Sequence, residues 1–279
     1  MMKTLGFIFT LMILLGCGNN KNLPNTYTRA DEQVKFMRID LSDSYEFNNL
    51  GGQTLIYDEK YNQYYSNDFK IAKEKFIPAS TFKIVNTLIG LESGTIKSDF
   101  VFNYNGEKRR NAAWEKSMNI REAFQTSCVP CYQDLAERIG LNNMTNQIKS
   151  MNYPGANVNE DNLTNFWLNG DATISPLEQI DYLRRLMTKQ MVVSSQNIDL
   201  LKNAMAIDST SKGKMYAKTG WAQTDEMDHG WYVGFIEQEK NRIYFATLIE
   251  PKEGYDMTKF ANERKSITTS VLTNLGYWE

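Results

Sequence analysis

Segments with strand character stand at both ends of the folded part of this chain, and a long helical pattern lies between them. That arrangement limits the fold more than any other feature. On the N-terminal side, 53–57 (QTLIY) and 63–65 (QYY) are rich in β-branched and aromatic residues and are joined through 58–62. On the C-terminal side come 214–218 and then a hairpin in which 231–236 and 242–249 flank the turn at 237–241. From about Pro78 to Ala206 apolar residues recur with helical spacing. One helix is expected over 119–127, another over 130–139 ending at Gly140, and a third behind the capping box Ser175-Pro176-Leu177-Glu178. Ser194 or Ser195 opens a further helix, and a last one runs from Met257 to Asn274. Strands at opposite ends of a chain bury their apolar faces only by meeting in one sheet. The expected fold is therefore mixed α/β (α+β), with a mostly antiparallel sheet built from N- and C-terminal segments, flanked by helices and interrupted by a helical insert.

Composition narrows the function. The chain has 279 residues with 31 basic and 33 acidic side chains, and no basic run, which argues against a nucleic-acid groove or a polybasic membrane surface. The first residues are different in kind. Lys3 precedes an apolar stretch over 4–15 that is too short to span a bilayer comfortably, so 1–16 reads as a signal peptide. Leu14-Leu15-Gly16-Cys17 resembles a bacterial lipobox, in which Cys17 carries the lipid; an incidental cysteine after an ordinary signal is the alternative. Residues 17–26 then form a polar tether, and 27–279 the folded domain.

Three short motifs carry the chemistry: Ser80-Thr81-Phe82-Lys83, Ser127-Cys128-Val129 and Lys218-Thr219-Gly220. Pro78-Ala79 precede Ser80, and the apolar run Ile84, Val85, Leu88, Ile89, Leu91 follows, which puts Ser80 at a helix N-terminus and Lys83 one turn on, on the same face. A hydroxyl there sits where free backbone N–H groups favour developing negative charge. The lone histidine, His229 in Asp228-His229-Gly230, is expected in a turn, structural or exposed, so lysine must supply the base. A lysine does so only when burial holds its amine neutral or a modification makes it anionic. Cys128 and Cys131 are readable as a short-range disulfide or as buried thiols, and two thiols with one histidine leave zinc short of ligands.

The order Ser-x-x-Lys, Ser-x-Val, Lys-Thr-Gly is that of the penicilloyl serine transferases. Val129, where other branches carry asparagine, together with Pro-Ala-Ser-Thr-Phe-Lys and Phe166-Trp167-Leu168, makes the chain resemble the class D (OXA-type) serine β-lactamases from about Thr54 to the last helix. The resemblance implies that Ser80 is the nucleophile and that Lys83 is carbamylated by carbon dioxide and serves as general base. Trp167 would donate to the carbamate, Ser127 would relay a proton, and the backbone N–H groups of Ser80 and Trp221 would form the oxyanion hole. Lys218, Thr219 and Gly220 would line the cleft, Arg264 would hold the substrate carboxylate, and Val129 and Leu168 would add apolar lining. Trp167 also reads as a core aromatic, and Arg264 as a solvated helix residue. No cofactor beyond carbon dioxide or bicarbonate is implied, no metal and no nucleic acid. The implied partners are β-lactam antibiotics, the consequence antibiotic resistance, and the location the bacterial periplasm, with Cys17 holding the protein to the outer membrane by a lipid anchor. A β-lactam sensor domain and a D-Ala-D-Ala transpeptidase or carboxypeptidase are the rival readings. One departure concerns the aromatic-Gly-Asn tripeptide usual before the tryptophan: here Pro154-Gly155-Ala156 stands in that register, with Tyr153 one place early.

Overall fold

The computed structural model describes residues 33–45, 49–224 and 228–279. The expected signal peptide over 1–16, the expected tether over 17–26 and Cys17 lie outside the described residues. In chain order the elements are β1 (Lys35–Arg38), α1 (Ser42–Tyr45), β2 (Leu50–Asp58), β3 (Gln63–Ser66), a 3-10 turn (Ala79–Phe82) running into α2 (Lys83–Glu92), β4 (Val101–Phe102), β5 (Met118–Asn119), α3 (Ile120–Gln125), α4 (Val129–Ile139), α5 (Leu141–Ser150), α6 (Phe166–Asn169), α7 (Pro176–Met187), α8 (Ser195–Met205), β6 (Ala206–Thr210), β7 (Gly213–Gln223), β8 (Asp228–Glu237), β9 (Arg242–Pro251) and α9 (Met257–Asn274).

A seven-stranded sheet has the order β1-β3-β2-β9-β8-β7-β6. All its pairings are antiparallel except β1 with β3. The expected architecture is thus the observed one, with β2 of the N-terminal segment paired to β9 from Leu50↔Pro251 to Asp58↔Ile243. The central strands are buried on both faces, so their sequences read as near-continuous apolar runs. One face, carrying Tyr232, Ile236, Phe245 and Ile249, packs on Phe260, Ile267, Val271 and Leu272 of α9. At about 25 cal/mol per Å² of apolar area, each such side chain contributes roughly 2 kcal/mol.

The helix signals hold at their ends. Ser175 and Glu178 exchange capping-box hydrogen bonds, and Asn119 and Glu122 form a second box at the start of α3. Two placements differ from expectation. Asp228 to Gly230 lie inside β8 rather than in a turn, because Ala222↔His229 and Gln223↔Asp228 continue the ladder with β7. His229 is buried there, its Nε2 2.9 Å from the Ile77 carbonyl oxygen, so its role is structural. The short β4–β5 ribbon also interrupts the helical insert.

Candidate active site

Ser80 is carried by the 3-10 turn, one turn ahead of α2 proper. That turn is held tightly. Ala79 has a left-handed φ of 48°, a conformation that costs a non-glycine residue about 1 kcal/mol and persists only when its surroundings enforce it. Thr81 donates both its N–H and its hydroxyl to the Pro78 carbonyl, at 3.1 and 2.7 Å, and accepts from Gln179 of α7 at 2.8 Å. Gly220 of β7 completes the clamp: a Cβ there would stand 3.0 Å from both the Pro78 carbonyl oxygen and the Thr81 methyl, so any side chain would push the strand and the Ser80 turn apart by a few tenths of an ångström.

Lys83 begins α2 and is fully buried, and its Nζ donates to Ser80 Oγ at 2.9 Å. Burial pulls its amine from 10.5 down to about 7. The ring centroid of Tyr132, on α4, lies 5.1 Å from Nζ. Phe82 stacks on Trp167 of α6 with centroids 5.7 Å apart, which brings the indole beside the Ser80–Lys83 turn. Trp167 is fully buried and its indole N–H has no hydrogen-bond partner. An orphan donor of this kind costs about 1–3 kcal/mol.

Ser127 sits between α3 and α4 at a left-handed φ of 56°. Its Oγ accepts from Lys218 Nζ at 3.1 Å, and the same amine also donates to the Thr219 carbonyl at 2.9 Å. Burial, then the charges of Lys83 and Arg264, holds the Lys218 amine well below its ordinary value. Arg264 is 6% exposed, which excludes the solvated-helix alternative. Its Nη1 donates to the Gly220 carbonyl at 2.7 Å, and burial lowers its guanidinium to about 10. Among the described residues, neither lysine nor this arginine has a carboxylate within ion-pair distance. Buried cations without acids are expensive unless an anion arrives.

A cleft of about 560 Å³ brings together Ser80, Ser127, Val129, Thr219, Gly220, Trp221 and Arg264, a volume suited to a drug-sized molecule. Leu168 and Lys218, both expected as lining, are not on this surface: Leu168 is half-buried at α6, and Lys218 is buried behind it with its amine on Ser127. Arg110, Asn111, Trp114, Thr126 and Gln223 do reach it and were not foreseen. Nothing in their local pattern signals it. Cys128 and Cys131 are disulfide-bonded, Cα atoms 5.4 Å apart, and face a second cleft beyond the α4 N-terminus. Tyr153 is buried edge-on against Phe82, and Gly155 keeps a left-handed φ of 63° where a side chain would overlap the Thr173 carbonyl. The early tyrosine therefore backs the Ser80 turn from the core.

Comparison with known proteins agrees with this geometry. The penicillin binding protein transpeptidase domain family matches residues 44–273. β-Lactamase OXA-48 of Klebsiella pneumoniae is 35% identical over 224 residues, 79% of this chain and 82% of that protein. The chain belongs to the class D β-lactamase family. Among solved class D structures, that of YbXI from Nostoc superposes with a TM-score of 0.79 at 34% identity, covering 85% of this chain and 99% of the other. The C-terminal domain of the Bacillus licheniformis BlaR penicillin-receptor shares the fold, with a TM-score of 0.82, 23% identity, and 89% and 99% coverage.

Proposed function

We propose that this class D chain hydrolyses the lactam amide of penicillin-type antibiotics through an acyl-enzyme on Ser80, with carbamylated Lys83 as the general base. The observation that carries the reading is the pairing of a fully buried, acid-free Lys83 amine 2.9 Å from the Ser80 hydroxyl with an orphan indole N–H on Trp167. An amine near pKa 7 is substantially neutral at physiological pH and able to take up carbon dioxide, and an indole, a donor only, suits an anion. When carbamylated, Lys83 supplies an anionic oxygen that accepts a proton in an otherwise apolar pocket.

Ser80 Oγ gives up its proton and bonds to the lactam carbonyl carbon, whose oxygen becomes an oxyanion held by the backbone N–H groups of Ser80 and Trp221. The carbon–nitrogen bond then breaks, and the proton that left Ser80 for the base passes through Ser127, in contact with Lys218, to the departing nitrogen, which frees the base again. Water, losing a proton to the base, attacks the Ser80 ester; the carbon–Oγ bond breaks, and the proton held by the base returns to Ser80 Oγ. Lys218 and Arg264 draw the substrate carboxylate into the cleft, where it neutralises buried positive charge. The leader over 1–16 directs export to the periplasm, the lipid on Cys17 tethers the 27–279 domain to the outer membrane, and the activity confers resistance.

Steady-state hydrolysis of a chromogenic cephalosporin, with intact mass recorded alongside, tests the reading. Turnover with no persisting adduct is expected. A stable adduct without turnover would instead make the chain a sensor. For the anchor, Cys17→Ser is expected to move the protein from the membrane to the soluble periplasmic fraction, and unchanged partition would refute lipidation.

A further inference from the structure

Arg110 is unlike the other cations of its loop. The segment joining β4 to β5 carries four basic residues, and three are matched to acids: Lys108 with Glu115 at 3.2 Å, Arg109 with Glu107 at 3.8 Å, and Lys116 with Glu122 at 3.4 Å. Arg110 instead lines the Ser80 cleft, and its Nη2 donates to the neutral amide oxygen of Gln223 at 2.7 Å. Gln223 ends β7, on the opposite wall, so the contact crosses the mouth between the loop and the strand that carries Lys218. A neutral acceptor fixes the guanidinium without cancelling its charge. The lining of the cleft holds two arginines, Arg110 and Arg264, and no aspartate or glutamate.

The two arginines differ in depth. Arg264 is buried against the strand, whereas Arg110 is exposed at the rim. With the ring carboxylate assigned to Arg264, Arg110 remains as a second cation on the lining, at the exposed rim, able to meet an anionic group on the other substituent of the substrate, the acyl side chain. From this geometry we infer that Arg110, positioned by Gln223, is a specificity-determining residue that selects β-lactams carrying a second anionic group on the acyl side chain. The inference rests on the proposed hydrolase reading and deepens it.

Carbenicillin and benzylpenicillin differ by one carboxylate on the side-chain carbon and so isolate this contact. For the purified full chain at low salt, kcat/KM for carbenicillin relative to benzylpenicillin is expected to fall about two- to fivefold in Arg110→Gln, carried by KM rather than kcat, because a rim charge acts mainly on encounter and binding. Arg110→Lys, which keeps the charge, is expected to retain the wild-type ratio. The wild-type preference should fade as ionic strength approaches about 1 M, where screening shortens to roughly 3 Å. A purely structural role for Arg110 would produce neither the salt dependence nor the rescue by lysine. Equal ratios in wild type and Arg110→Gln, or a lysine variant as low as the glutamine one, would overturn the inference. If neither penicillin is turned over, the hydrolase reading fails, and the same ratio is then read from the masses of the two adducts competing for Ser80.

Discussion

Replacing Lys83 with methionine is expected to stabilise the protein while abolishing turnover. The lysine is completely buried, and its amine titrates at about 7 rather than 10.5. The unfolded chain therefore holds a proton up to about pH 10.5, while the native chain gives it up near 7. Native stability falls as pH drops through that window, and below it the full penalty is present. At pH 7 the difference amounts to about 4 kcal/mol against the folded state. Methionine fills nearly the same volume without a charge, and its loss of the contact to Ser80 takes back roughly 1 kcal/mol. A net gain of about 3 kcal/mol should appear as a higher urea midpoint for Lys83→Met in argon-sparged, bicarbonate-free buffer at pH 7. Adding bicarbonate should then raise the wild-type midpoint, because carbon dioxide binds only the native amine, and leave the variant unmoved. A variant no more stable than wild type, or a wild-type midpoint indifferent to bicarbonate, would refute the reasoning.

Trp167→Phe keeps the stacking on Phe82 but removes the indole donor; its activity should depend more steeply on added bicarbonate and fall off sooner below pH 7 than that of wild type, as read from initial rates across pH. Replacing Cys128 and Cys131 together with alanine should lower stability by about 2 kcal/mol, the loop-closure value for so short a loop, yet leave kcat within several-fold, because the disulfide faces the second cleft rather than Ser80. A loss of orders of magnitude in kcat would show that the pair positions Ser127.

How much of this was readable from sequence depended on the range of the forces involved. The capping box at Ser175, the hairpin of β8 and β9 and the bounds of α9 follow from contacts a few residues long, and each stands where its local pattern put it. The edge strand β1 is a largely exposed KFMR with no alternation, and it exists only because β3 lends it a partner. The polar helix α5 starts at Leu141, behind Gly140, without a side-chain cap. In the site, Ser80, Lys83, Ser127 and Lys218 were legible because each belongs to a compact motif. Tyr132 beneath Lys83 and Arg110 against Gln223 were not, since loop closure rather than spacing brings them in. Leu168, a motif neighbour, is half-buried at α6 and is not on the cleft surface.

The pairing of β2 with β9 also bears on how the molecule is made. Leu50 finds its ladder partner only when Pro251 has left the ribosome, and Arg264, which closes the cleft floor, comes later still. Until then β1, β3 and β2 form a three-stranded piece with the β2 edge open and without the C-terminal strands and α9 that cover the sheet, too little core to stand alone in water. Such long-range closure folds slowly. The proposed leader over 1–16 would thus precede a polypeptide that stays unfolded while it emerges, the state in which a narrow export channel accepts a chain. Early stop codons in α9 should accordingly yield no partially active enzyme, only open-edged chains prone to aggregation or proteolysis.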